Sequence, residues 1–267
     1  MRNRVALITG GARGIGRGIA EAFVKAGARV VVADLTAGTE SEWSYDLSDS
    51  TDLEQTVREQ SAFGDISATA VDVTDAVSCA AAVAATVSTY GGLDILVNNA
   101  GVVQSGPIDD FAESAWDNIF AVNTKGIFLM TKAALPELRK STSAAIINIA
   151  SIAGKKGHRN MAAYCGSKFA AIGITQSLAA ELAGSGIRVN ALCPGIVGTA
   201  MWLEHLLPTH ALEPAQQDAE FEAAISRTIP LGRPQTAADM GAAALYLATA
   251  PNVTGVSLNV AGGIEMN

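Results

Sequence analysis

Arg4-Val-Ala-Leu-Ile-Thr9-Gly10-Gly11-Ala12-Arg13-Gly14-Ile15-Gly16 decides how the rest of the chain is read. Residues 4–9 are apolar on both faces, as a parallel strand buried inside a sheet must be. Glycines crowd the next seven positions, and an amphipathic helical pattern follows over 15–26. Glycine is required where a backbone turns sharply and where it must approach a phosphate closely. The helix behind such a turn points free N–H groups and the positive end of its dipole at an anion. A glycine-rich turn alone is a weak signal; set between a first strand and a helix it is a strong one.

Outward from this turn, β-rich runs at 28–33, 67–73, 93–97, 144–150, 187–192 and 256–260 alternate with helical patterns at 15–26, 76–90, 112–139, 162–184 and 236–248. The last helix opens on Thr236-Ala-Ala-Asp239, a capping box with Asp in place of Glu. Such alternation implies right-handed βαβ crossovers. The expected fold is therefore α/β: a Rossmann-type, doubly wound, seven-stranded parallel sheet with helices on both faces. No repeat, low-complexity linker or shift in composition divides residues 1–267, so one domain is expected. Two stretches exceed what a crossover needs. One is an insertion at 35–66; the other, at 196–234, scatters Met201, Trp202, Leu203, Leu206 and Leu207 among prolines and reads as a substrate loop.

Composition narrows the function classes. With 49% hydrophobic and 16% charged residues the chain is globular and not disordered. Net charge is −8, and eleven acids face a single base, Arg58, between Asp34 and Asp75. No basic stripe exists, so no nucleic-acid partner is expected. No apolar run reaches the ~18 residues of a membrane span, and the first residues read as a strand and not as a leader, so a cytoplasmic location is expected. Cys79, Cys165 and Cys193 are odd in number and lack CxxC spacing, which predicts free thiols. His158, His205 and His210 lack zinc-site spacing, and no metal is expected.

The second strand ends at Asp34. A carboxylate there can accept from the 2′- and 3′-hydroxyls of an adenosine ribose and would repel a 2′-phosphate, so it favours NAD over NADP. Leu35 follows, where a basic residue would have favoured the phosphate. Arg13 pulls the other way, because a guanidinium in the glycine turn can pair with a phosphate. The unpaired carboxylate is the more direct penalty, and NAD is the expected cofactor.

These features in order resemble the classical short-chain dehydrogenases/reductases along nearly the whole chain. Gly10-Xaa3-Gly14-Ile15-Gly16 matches that family's cofactor motif, Asp72-Val73 resembles its adenine-contacting pair, and Asn98-Asn99-Ala100-Gly101 resembles its Asn-Asn-Ala-Gly signature. Asn123, Ser151, Tyr164-Xaa3-Lys168 and Pro194-Gly195 with Val197 and Thr199 complete the series. The resemblance implies that Gly10, Arg13, Gly14, Ile15, Gly16, Asp34, Asp72, Val73, Asn99, Ala100, Gly101, Tyr164, Lys168, Pro194, Gly195, Val197 and Thr199 hold the cofactor. It implies that Asn123, Ser151, Tyr164 and Lys168 carry the chemistry.

The chemistry of the residues agrees. Tyr164 and Lys168 stand at i and i+4 and share a helix face. An ammonium beside a phenol favours the phenolate, so Tyr164 can take the hydroxyl proton as hydride leaves carbon, or return it in reduction. By resemblance, Lys168 also holds the nicotinamide ribose, Ser151 hydrogen-bonds the substrate oxygen, and Asn123 anchors a water leading to Lys168. Ser151, Tyr164, His158, Met201, Trp202 and Leu206 are the expected substrate contacts.

The expected activity is hydride transfer between NAD(H) and a secondary alcohol or ketone. Alternatives are a 3-oxoacyl-thioester reductase using NADPH, and a branch whose insertion shields a tightly held NAD that passes electrons to mycofactocin, which Tyr45–Arg58 loosely resembles. A non-catalytic nucleotide-binding protein is disfavoured by the intact catalytic set. Alanines at 162, 163, 170, 171, 179 and 180 allow close helix approach, and by resemblance a homotetramer is expected.

Overall fold

Alternate residues of the central strands face two different cores. Ala6, Ile8, Val30, Val32, Ile95, Val97, Ala145 and Ile147 pack into one, while Leu7, Val31, Ala33, Leu96 and Ile146 pack into the other. That period of two, apolar on both sides, explains why these runs are strands covered by helices on both faces. A computed structural model describes residues 1–36, 47–198, 223 and 225–266.

The strands are β1 (Val5–Thr9), β2 (Arg29–Asp34), β3 (Ile66–Ala70), β4 (Ile95–Asn98), β5 (Ala145–Ile149), β6 (Arg188–Pro194) and β7 (Ser257–Val260). They form one parallel sheet in the order β3-β2-β1-β4-β5-β6-β7. The order reverses direction between β1 and β4, and a crevice opens there at the carboxyl ends of the strands. Helices α1 (Gly14–Lys25), α2 (Ser50–Gln60) and α7 (Ala237–Thr249) contribute Phe23, Leu53 and Met240 to the first core. Helices α3 (Ala76–Tyr90), α5 (Gly126–Leu138) and α6 (Ala162–Leu182) contribute Val83, Met130 and Leu182 to the second. The seven-stranded doubly wound sheet is the one expected from the sequence.

Two elements depart from that expectation. The pattern at 112–139 reads as one helix, but it is α4 (Glu113–Phe120) and α5 joined by a π-helical turn, Ala121–Lys125. A π turn inserts an extra residue into the helix, and such turns often mark functional sites; this one carries the buried Asn123.

The insertion at 35–66 holds α2, which apolar periodicity does not reveal. Its inward face is Leu53, Thr56, Val57 and Gln60, half of it polar. Those polar side chains are bonded: Thr56 Oγ1 donates to Ala12 O at 2.5 Å and Gln60 Nε2 donates to Arg17 O at 2.9 Å. An Asp49–Asp52 capping box starts the helix. The Thr236–Asp239 box at α7 forms as its sequence predicts, and Arg233 adds a paired guanidinium contact to Asp239.

Candidate active site

The crevice at the strand ends is a cavity of about 1070 Å³, just above the roughly 300–1,000 Å³ usual for small-molecule sites. Its floor is the glycine turn. Gly10 has φ +62°, and a Cβ on Gly16 would lie 2.1 Å from Gly10 O, so the turn can close only with glycine at both places. Gly16 serves this packing and does not itself line the cavity; Gly10, Arg13, Gly14 and Ile15 do. No side chain caps the start of α1. Its first N–H groups and dipole therefore suit an anion. The turn is pinned from both sides. Asn99 Nδ2 donates to Gly10 O at 2.7 Å and to Thr9 O at 3.0 Å, and Thr56 grips Ala12 O from α2. A dinucleotide pyrophosphate fits this cradle.

Asp34 lines one end of the cavity. Its Oδ2 accepts from Ala12 N at 3.0 Å, and its Oδ1 accepts from Leu35 N at 2.9 Å and from Ser48 Oγ at 2.6 Å. Asp72 and Val73 lie beside it, where the chain leaves β3 three residues earlier than the sequence pattern suggests. The Asp72 carboxylate accepts from Thr74 N and Thr74 Oγ1 and so fixes its own turn. Ala100, Gly101, Pro194, Gly195 and Val197 continue the wall.

Ser151, Tyr164 and Lys168 line the same cavity, the first from the turn after β5 and the other two from α6. Lys168 is 5% exposed, its Nζ donates to Ile149 O at 2.9 Å, and it stands 5.7 Å from the Tyr164 ring centroid. Burial pulls its pKa down to about 8. Ser151 Oγ caps a short 3-10 turn by accepting from Ala153 N at 3.1 Å. Behind them the Cys193 thiol is buried and its pKa pushed up to about 11, so it stays neutral. All three cysteines are free and buried.

Asn123 belongs to this group but stands behind the wall. Its Oδ1 accepts from Val102 N at 2.8 Å, and its Nδ2 donates to Val102 O at 2.9 Å and Ser167 Oγ at 3.0 Å. Ser167 Oγ in turn donates to Tyr164 O at 2.8 Å. A Cβ on Gly101 would lie 3.4 Å from both Asn123 Oδ1 and Lys168 Nζ, so the two side chains approach the same point.

His158 lines the cavity. Thr199, Met201, Trp202 and Leu206 lie outside the described residues. Several wall residues have no motif and escape a sequence reading. Leu47 and Ser48 come from the insertion, Met161 from the segment before Tyr164, and Thr228 and Ile264 from the last part of the chain. Leu47 packs beside Val102, Ile119 and Ala163, while Ser48 bonds Asp34, so two adjacent residues touch both ends of the crevice. Among the described residues no group of His, Cys, Asp and Glu could hold a metal, and no helix is long and apolar enough to cross a membrane.

This geometry has counterparts. The chain is 36% identical to galactitol 2-dehydrogenase of Agrobacterium fabrum over 274 residues, covering all of this chain and 99% of that protein. It is 35% identical to sorbitol dehydrogenase of Cereibacter sphaeroides, covering 99% and 98%. The crystal structure of carveol dehydrogenase from Mycobacterium avium in complex with NAD superposes with a TM-score of 0.91 at 30% identity, covering 99% of this chain and 98% of that one. The family model described as short chain dehydrogenase matches residues 4–206. A glycine cradle at the switch point, with Ser151, Tyr164 and Lys168 on one cavity wall, thus sits inside a full-length sequence match: the chain belongs to the classical short-chain dehydrogenase/reductase family.

Proposed function

We propose that this protein is an NAD-dependent oxidoreductase that interconverts a secondary alcohol and its ketone, with Tyr164 as general acid–base. The observation that carries this reading is Tyr164 one helical turn from the buried Lys168, both facing the cavity that Ser151 also lines. A nicotinamide bound in the cradle supplies the hydride acceptor. Ser151 Oγ donates to the substrate oxygen and stabilises its developing charge. The Lys168 ammonium favours the Tyr164 phenolate, which removes the hydroxyl proton in oxidation. Asn123 ties the Val102 strand end to α6 through Ser167 and holds that wall in register. Lys168 also offers its remaining donors to the nicotinamide ribose.

Gly10, Arg13, Gly14, Ile15 and the Asn99–Gly101 strand end hold the pyrophosphate and the neighbouring riboses, with Asp72 and Val73 beside the adenine. Pro194, Gly195, Val197 and Thr199 meet the nicotinamide. Asp34 and Leu35 at the ribose end favour NAD over NADP, and the NAD complex of carveol dehydrogenase supports the same choice. Polyol and terpene-alcohol relatives support a secondary alcohol as substrate. His158, Met201, Trp202 and Leu206 are its proposed contacts, with 196–234 as the substrate loop of a single domain spanning 1–267. A cytoplasmic homotetramer completes the reading.

A second reading concerns cofactor exchange. Leu47 and Ser48 of the insertion reach across the crevice, which favours an NAD held through many turnovers, as in the mycofactocin-coupled branch. Both readings are tested by steady-state rates on a panel of polyols, cyclic secondary alcohols and 3-oxoacyl thioesters with NAD(H), NADP(H) and an artificial electron acceptor. Tyr164→Phe keeps the ring and removes the proton carrier. It should lower kcat on alcohols about 10²–10⁴-fold with NAD affinity little changed. Activity within threefold of the wild type, in folded and NAD-bound protein, refutes the assignment; a preference for 3-oxoacyl thioesters with NADPH refutes the substrate and cofactor class.

A further inference from the structure

We propose that Ser48 is a second cofactor-selecting residue, acting with Asp34 on the adenosine ribose; the proposal rests on the NAD reading above. The observation is the bonding at Asp34. A carboxylate offers about four acceptor directions. Among the described residues three are taken, by Ala12 N on Oδ2 and by Leu35 N and Ser48 Oγ on Oδ1. One direction on Oδ2 is left for a ligand. A serine hydroxyl that donates its single proton keeps lone pairs with which to accept. Ser48 is 8% exposed and lines the cavity beside Asp34. The pair therefore presents two neighbouring acceptors, one on the carboxylate and one on the hydroxyl.

That pattern is the complement of a vicinal diol, which brings two O–H donors. It mismatches a 2′-phosphate, whose oxygens are acceptors and carry charge. Asp34 alone supplies the repulsion; Ser48 supplies the acceptor that its own hydrogen bond to Asp34 orients. The same hydrogen bond keeps the carboxylate from rotating toward a second ribose contact, so the diol is shared between two residues and not gripped by one.

The arrangement is built into the scaffold. Asp49, next in the chain, caps α2 through Thr51 N and Asp52 N. Thr56 and Gln60 of α2 bond the glycine turn and α1 through Ala12 O and Arg17 O. Ala12 N is also a donor to Asp34. One short helix thus sets the position of Ser48, and through Ala12 that of its partner carboxylate.

The test is isothermal titration of NAD+, NADP+ and ADP-ribose into the wild type, Ser48→Ala and Ser48→Thr. Ser48→Ala should weaken NAD+ and ADP-ribose by about five- to tenfold, the usual worth of one hydrogen bond. NADP+ affinity should stay within about twofold, because the repelling charge remains. Ser48→Thr, which restores the hydroxyl, should bring NAD+ back to within about twofold of the wild type. The proposal is overturned if Ser48→Ala binds NAD+ within twofold of the wild type, if NAD+ and NADP+ weaken equally, or if threonine fails to rescue. The NAD reading fails separately, and only if the wild type binds NADP+ as tightly as NAD+, a comparison in which Ser48 is unchanged.

Discussion

Replacing Lys168 with methionine should make the protein more stable and nearly inactive. The side chain is 5% exposed, and its Nζ has one described hydrogen bond, to Ile149 O. Burial lowers its pKa from 10.5 to about 8. That fall is worth about 3 kcal/mol against keeping the charge inside the folded protein. Methionine fills similar volume without the charge. Losing the bond to Ile149 O offsets about 1 kcal/mol, so Lys168→Met should gain roughly 2 kcal/mol at pH 7, or about 4 °C in Tm for a chain of this size. The sign follows from proton binding. Below pH 8 folded and unfolded chains both hold the proton, and the wild type bears the full cost. Between pH 8 and 10.5 the unfolded chain binds more protons, so wild-type stability rises with pH and the gap to the variant closes.

Activity should move the other way. At 5.7 Å from the Tyr164 ring and an effective dielectric near 20, the ammonium favours the phenolate by about 3 kcal/mol. This is roughly a hundredfold in the phenolate fraction. Alcohol oxidation by Lys168→Met should therefore fall at least about a hundredfold in kcat/KM at pH 7. The deficit should shrink at higher pH as the phenol ionises unaided. Thermal melts from pH 7 to 10.5 and kcat/KM profiles over the same range measure both effects. A variant less stable than the wild type refutes the burial argument. A profile that runs parallel to the wild type at every pH refutes the electrostatic one.

Two further outcomes test the scaffold. Thr56→Val removes the hydroxyl that holds Ala12 O and leaves a buried carbonyl unpaired; it should cost about 1–3 kcal/mol in denaturant unfolding and raise KM for NAD several-fold with kcat little changed, and an unaltered KM refutes the role of α2 in holding the glycine turn. Asp239→Ala removes the carboxylate that caps α7 and pairs with Arg233, costing about 1 kcal/mol at pH 7. Arg233 and Thr236 hold that carboxyl well below the usual range, so the contribution should be full above pH 4 and fade only in stronger acid; a difference that vanishes by pH 5 refutes the assignment.

The seven strands, their alternation with helices and the motif order are legible in the chain because they are local. A strand apolar on both faces, a glycine turn followed by a helix, and a Tyr-Xaa3-Lys pair each depend on residues within a few positions of one another, where backbone geometry sets what touches what. The α7 capping box was legible for the same reason. Helix α2 was not, because its buried face carries Thr56 and Gln60, whose partners Ala12 and Arg17 lie more than forty residues away. Nor was the π turn, since the apolar period of 112–139 continues through it while Asn123 is drawn inward by Val102 and Ser167. The environment of Lys168 is likewise a tertiary fact. Its spacing from Tyr164 is written in the sequence, but its depressed pKa comes from the strands and helices packed around it. Leu47, Ser48, Thr228 and Ile264 carry no motif and reach the cavity only because distant loops end at the same sheet edge. Residue type and spacing name the groups that do chemistry. How dry, how charged and how firmly held those groups are depends on neighbours that the chain brings together only by folding.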